Sequence, residues 1–177
     1  MTIKNNNPYV KLARENLTKY IENRHILSTL PDYVTEDMLQ NRRGVFVTLH
    51  KNGNLRGCIG TIFPVTESIV QEIIRNSIEA GIYDPRFPAV TLDELNTIEF
   101  SVDVLSKPER TTKENLDPKK YGIIITSNGK NGVLLPDLEG VDTVDDQIDI
   151  TLRKAGISKN ENYEIERFTV ERYEEGR

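Results

Sequence analysis

The densest grouping of chemically able residues in the chain is Leu55-Arg56-Gly57-Cys58-Ile59-Gly60, which sets a guanidinium, a thiol and two bare stretches of main chain within six positions. A guanidinium is a planar fork of donors suited to carboxylates and phosphates. Arg56 therefore calls for either a carboxylate partner within the protein or an anionic ligand. A thiol attacks only as thiolate, a form that a nearby cation favours. Arg56, two residues from Cys58, makes a cysteine-dependent enzyme one reading of the motif. Free cysteines are commonly buried and inert, so a packed, unreactive Cys58 is the favoured reading. Gly57 and Gly60 mark a close approach by another part of the backbone, such as the helix that follows, or room for a ligand.

The second grouping is Asp84-Pro85-Arg86-Phe87-Pro88. Two prolines stiffen a loop that carries an acid, a base and an aromatic ring. It reads either as a recognition element or as an internal Asp84-Arg86 pair with Phe87 plugged into the core, and the second is slightly favoured. The acidic stretch Asp137, Glu139, Asp142, Asp145, Asp146 and Asp149 lacks the spacing of a calcium-binding loop and reads as a solvated face leading into a helix. Phosphate-binding, zincin and serine-hydrolase motifs are absent from the sequence.

The elements that must position these residues begin with a hairpin. Gly44 to His50 and Leu55 to Ile62 are β-rich and flank Asn52-Gly53, the residue pair best suited to a two-residue reversal. Counting outward from that turn predicts Lys51 opposite Asn54, Leu49 opposite Arg56, Val47 opposite Cys58 and Val45 opposite Gly60, all on one face. His50 then falls on the other face and is a poor base for Cys58, while His25 has no neighbouring carboxylate at a telling offset. An amphipathic helix is expected from Asn7-Pro8 to near Leu30-Pro31, and a second from Glu67 to Ala80 with Gly81 as its cap. Thr91 and Glu94 form a capping box, and Ile98 to Val104 alternate as a strand. A second hairpin runs from Tyr121 to Leu135 around a turn at Ser127 to Gly132, followed by a helix from Thr143 to Ala155 ended by Gly156. The tail from Tyr163 to Tyr173 is strand-like. This order predicts an α+β fold, an antiparallel sheet flanked by helices, in one domain over residues 1–177 with no readable internal boundary.

Composition narrows the function. The chain has 177 residues, 23 basic and 28 acidic, for a net charge of −5, which disfavours RNA or DNA as the principal partner. One cysteine and two histidines cannot build a closed zinc site or hold an iron–sulfur cluster, so neither a metal nor another cofactor is expected. The polar start and the lack of a long apolar run suggest a cytoplasmic protein.

The hexapeptide Leu55 to Gly60 resembles the hallmark motif of the AMMECR domain family, whose prokaryotic members are called AmmeMemoRadiSam system protein A. The resemblance extends through the opening helix Tyr9 to Leu17, Gly44-Val45-Phe46-Val47-Thr48-Leu49, Asp84 to Pro88, Ile98 to Leu105, Gly132-Val133-Leu134-Leu135-Pro136 and Lys154-Ala155-Gly156. It implies an α/β fold of two intimately associated subdomains. It also implies association with a Memo-like protein and a radical-SAM protein, and no particular reaction. The expectation is a binding component that recognises an anionic small molecule or a partner through Leu55, Arg56, Gly57, Cys58, Ile59 and Gly60, together with Asp84, Arg86 and Phe87.

Overall fold

A computed structural model describes residues 2–4 and 7–175. The chain forms two compact units, Met1–Leu105 with Glu171–Arg177, and Ser106–Val170.

The first unit opens with strand β1 (Thr2–Lys4) and helix α1 (Pro8–Asn23). Asn7 accepts the Val10 N–H at 3.1 Å and Pro8 takes the first helical position, as the sequence predicts. The helix stops well short of Leu30, because Arg24 turns left-handed (φ 59°) and its N–H closes back on the Tyr20 carbonyl. A short helix α2 (Glu36–Gln40) follows, then strands β2 (Val45–Lys51) and β3 (Asn54–Thr61), helix α3 (Ile69–Ile78) and strand β4 (Ile98–Leu105). The five-stranded sheet has the order β1-β9-β4-β2-β3, where β9 is Val170–Glu174. Strand β2 pairs antiparallel with both β3 and β4, and β1 runs parallel to β9. Val45, Val47 and Leu49 of β2 and Phe100 and Val102 of β4 are buried in one core with Leu12 and Leu17 of α1 and Ile73 of α3.

The Asn52-Gly53 turn forms as expected, with both residues at positive φ (52° and 78°). Lys51 faces Asn54 and His50 faces Leu55, but Arg56 is then a bulge. Beyond it Leu49 faces Gly57, Thr48 faces Cys58, Val47 faces Ile59 and Phe46 faces Gly60. The expected register therefore holds next to the turn and is off by one beyond the bulge, and one residue of slip exchanges the two faces of a strand. Cys58 lies opposite Thr48, not Val47, on the face turned away from the helices.

Helix α3 begins at the Ser68 cap, which accepts the Gln71 N–H. After Ile78 the chain widens into a π-helical turn, Glu79–Tyr83. Gly81 is thus not the left-handed cap the sequence suggests. It lies inside the wide turn, where a Cβ would stand 2.6 Å from Cδ2 of Leu17. Gly57 answers the same need from the sheet side, since a Cβ there would sit 2.3 Å from the Ala80 carbonyl oxygen. Gly57 thus lets the Ala80 backbone reach β3, and Gly81 makes room for the Leu17 side chain of α1.

The second unit has strands β5 (Glu109–Thr111), β6 (Gly122–Ser127), β7 (Lys130–Leu134) and β8 (Glu164–Phe168) in the order β5-β8-β6-β7. Helix α4 (Val144–Ala155) is capped by Thr143 and ended by Gly156 at φ 68°, as expected. Its Ile148 and Leu152 share a core with Ile123, Ile125 and Leu134. The β6–β7 turn is only Asn128-Gly129, both at positive φ, so the strands reach further than the six-residue turn anticipated. The expected single strand from Tyr163 to Tyr173 breaks at Thr169 into β8 and β9, which belong to different sheets.

Because the Ala80 carbonyl leaves no room for a methyl group, Gly57→Ala is expected to cost about 1–3 kcal/mol through overpacking. Urea unfolding should show a lower midpoint with an unchanged slope; an unchanged midpoint would mean that the contact yields freely.

Candidate binding site around Cys58

Arg56 has found a carboxylate. Bulging lifts it out of the β2 pairing, and its Nε and Nη2 donate to the two carboxylate oxygens of Glu94, each at 3.1 Å. Nη1 donates to the Pro88 carbonyl at 2.9 Å. The side chains are 11% and 20% exposed, so all three arms of the guanidinium are used inside the protein. Glu94 also accepts from Lys51 Nζ and from the Thr91 N–H and hydroxyl. The capping-box glutamate of the 3-10 helix Leu92–Thr97 therefore doubles as the anchor of the hairpin. The Arg56 fork, with the Thr91 N–H and Lys51, holds its carboxyl down to about 2.

Asp84 and Arg86 clamp the main chain of Cys58. Strand β3 is an edge of its sheet. The Cys58 N–H donates to Asp84 Oδ2 at 3.0 Å, and the Cys58 carbonyl accepts from Arg86 Nη2 at 3.1 Å. The two side chains are joined by Arg86 Nε to Oδ1 (3.0 Å) and Nη2 to Oδ2 (2.8 Å), and Oδ1 also accepts the Arg86 N–H. Asp84 is 3% exposed. The Arg86 guanidinium, with the Cys58 N–H, holds its carboxyl far below the usual carboxylate range. The internal Asp84-Arg86 pair exists as the sequence suggests. Phe87 is only half-buried, with the Arg86 guanidinium 5.5 Å from its ring centre, rather than plugged into the core.

On the face opposite the helices, Cys58 Sγ lies 3.1 Å from Thr48 Oγ1. Asp103 pairs with Phe46 across β4–β2 and projects on this face, where it accepts from Arg172 of β9 at 2.7 and 3.0 Å. Asp103 is buried, while the Arg172 side chain is 48% exposed and that of Arg86 55%. Arg86 and Arg172 are thus each gripped through Nε and Nη2 by a buried aspartate, and Arg86 is the cation that pulls on the half-buried Cys58 thiol. In both, Nη1 makes no hydrogen bond among the described residues.

The thiol itself is held neutral. Burial pushes it up; the Thr48 hydroxyl and Arg86 pull it down, Asp103 and Asp84 raise it further, and the sum is a rise. Arg56, expected to favour the thiolate, points elsewhere, and the cation beside Cys58 is Arg86. The bulge also moves His50 onto the Cys58 face, two residues along β2 from Thr48. A diagonal neighbour of that kind lies about 7–8 Å away, and among the described residues the only side-chain partner of Sγ is Thr48.

Of the remaining motif residues, Leu55 is exposed near the hairpin tip and Ile59 packs against the helix-side core. Gly60 lies under the Phe46 ring, where a Cβ would be 2.2 Å from Cγ. In the acidic stretch, Asp142, Asp145 and Asp149 pair with Lys119, Lys113 and Lys159 on the surface. Glu94, Thr48, Asp103 and Arg172 were not singled out for this site from sequence. Glu94 carried a signal, the capping box; the others are brought in by register and sheet order. Among the described residues no three His, Cys, Asp or Glu side chains gather as a metal site, and no helix is long and apolar enough to cross a membrane.

Residues 10–175 match the model of the AMMECR1 family. Protein CA_C1420 of Clostridium acetobutylicum is 60% identical over 168 residues, a match covering 95% of this chain and 36% of that protein, so the chain spans about a third of its length. A protein of Thermotoga maritima is 48% identical over 170 residues, covering 94% of this chain and 97% of its own. The crystal structure of the uncharacterised protein PH0010 from Pyrococcus horikoshii superposes with a TM-score of 0.83 at 28% identity, over 95% of this chain and 90% of that one.

Removing one partner of the enclosed Arg56–Glu94 pair strands the other, so Arg56→Ala should cost about 2–3 kcal/mol in urea unfolding. A loss too small to measure would free Arg56 for a ligand. The lowered carboxyl of Glu94 stabilises the fold fully above its ordinary value of 4.5, and that contribution disappears as pH falls through about 2. Stability measured across this window should fall less steeply in Glu94→Gln than in the parent; equal slopes would contradict the assignment.

Proposed function

This chain belongs to the AMMECR1 family, and from that premise we propose that it is a binding component that captures an anionic small molecule or partner group on the sheet face around Cys58. The observation that carries this is the pair of locked guanidiniums. Arg86 and Arg172 are oriented in advance by Asp84 and Asp103, each has an Nη1 without a hydrogen bond among the described residues, and Asp103 shares its sheet face with the Cys58 thiol and the Thr48 hydroxyl. Pre-orientation lowers the entropy lost when a ligand binds. The Leu55–Gly60 motif contributes by placing Cys58 and shaping the edge, while Arg56 serves as its internal anchor.

A cysteine-dependent enzyme is the second reading, and what favours it is the partial exposure of Cys58. Against it stand the raised thiol and the lack, among the described residues, of a base bonded to sulfur. As protein A of an AmmeMemoRadiSam system the chain would act with a Memo-like and a radical-SAM protein. One cysteine supplies no cluster ligand set, so radical chemistry would reside in the partner.

The two readings separate on alkylation. Iodoacetamide should modify native Cys58 about tenfold or more slowly than the urea-unfolded chain, as for a buried neutral thiol. Inorganic phosphate should slow it further, and Arg172→Gln should abolish the phosphate effect. A native rate above the unfolded one would establish a reactive nucleophile, and indifference to phosphate would overturn the anion-binding role.

A further inference from the structure

We infer that the free edge of β3 at Gly60 is a docking edge for an extended polypeptide segment that ends in a carboxylate. In an antiparallel pair, successive residues turn their main-chain N–H and C=O alternately toward the partner strand and away from it. Those of Cys58 turn away from β2, since they meet Asp84 and Arg86. The register from Cys58 to Gly60 is regular, with Thr48 opposite the first and Phe46 opposite the second. Gly60 therefore turns its N–H and C=O outward as well, and among the described residues neither carries a hydrogen bond. Gly60 is partly exposed.

Asp84 and Arg86 give Cys58 the acceptor and donor that a neighbouring strand would supply, and they close the edge there. An added strand can pair at Gly60 but must stop or turn away before Cys58, about 7 Å further along. At that point it meets Arg86, whose Nε and Nη2 are engaged, whose Nη1 has no partner among the described residues, and whose side chain is 55% exposed. A carboxylate at the end of the segment, from an Asp or Glu side chain or from a chain terminus, meets that nitrogen. Main-chain bonds would supply affinity and the terminal carboxylate the register.

The inference shares only Arg86 with the function proposed above. A library of random octapeptides selected against the intact chain tests it. Selected peptides should carry an acid at one end, and their binding should slow exchange of the Gly60 amide at least about tenfold, as for an edge N–H that gains a strand partner. N-methylation at alternate amides of the same peptide, or Arg86→Gln in the protein, should each weaken binding about tenfold. Amidating the peptide terminus and replacing its Asp or Glu, in separate peptides, tells the two carboxylate sources apart. Arg172→Gln should leave peptide affinity within about twofold, although it removes the phosphate effect, so the two proposals fail separately. Selection of no peptide, an unchanged Gly60 amide, equal binding of the N-methylated peptide, or self-association of the chain through this edge would each overturn the inference.

Discussion

The bridge from the Asp84 carboxylate to the main-chain N–H of Cys58 is the constraint on which the site depends. An edge strand is a template for unwanted pairing, and proteins cover such edges. Here one buried side chain does so, and it is itself held by Arg86, which returns a donor to the Cys58 carbonyl. The stiffness of a loop bounded by Pro85 and Pro88 is thereby transmitted to the strand. With the backbone of Cys58 fixed, its thiol has a set position against Thr48, and Arg86 has a set orientation beside it.

A second carboxylate works in parallel at the other end of the same segment. Glu94 joins Arg56 and Lys51 of the hairpin to the start of the 3-10 helix, while the Pro88 carbonyl takes the third arm of Arg56. Residues 84–94 are thus fastened to β3 at two points, one on either side of Gly57. That glycine in turn lets the Ala80 carbonyl approach the strand. Such a rigid frame suits recognition, since the groups that would meet a ligand need little reordering. It suits nucleophilic catalysis less well, because the same enclosure keeps the proton on sulfur.

The fold was legible wherever local chemistry decides it. Asn7-Pro8, Asn52-Gly53 and Thr143 with Gly156 each act within four residues of chain, and each forms the cap or turn that its residue types predict. Gly81 misled because its role is a close approach by Leu17, a contact 64 positions away that no local pattern records. The bulge at Arg56 misled more seriously. The bulged Arg56 is held by Glu94, whose capping-box signature gives no hint that it also reaches the hairpin, and the displaced register exchanges Val47 for Thr48 beside Cys58. The Asp84-Arg86 pair was readable from sequence, but its attachment to Cys58 was not. Asp103 and Arg172 enter only because β9, from the far end of the chain, inserts between β1 and β4.

Amide hydrogen exchange at Cys58 tests this account most directly. A free edge amide exchanges quickly, so the account predicts that Cys58 is protected in the parent chain and loses that protection in Asp84→Ala, while the buried amides of β2 keep theirs. Rapid exchange at Cys58 in the parent, or protection that survives loss of the Asp84 carboxylate, would contradict it.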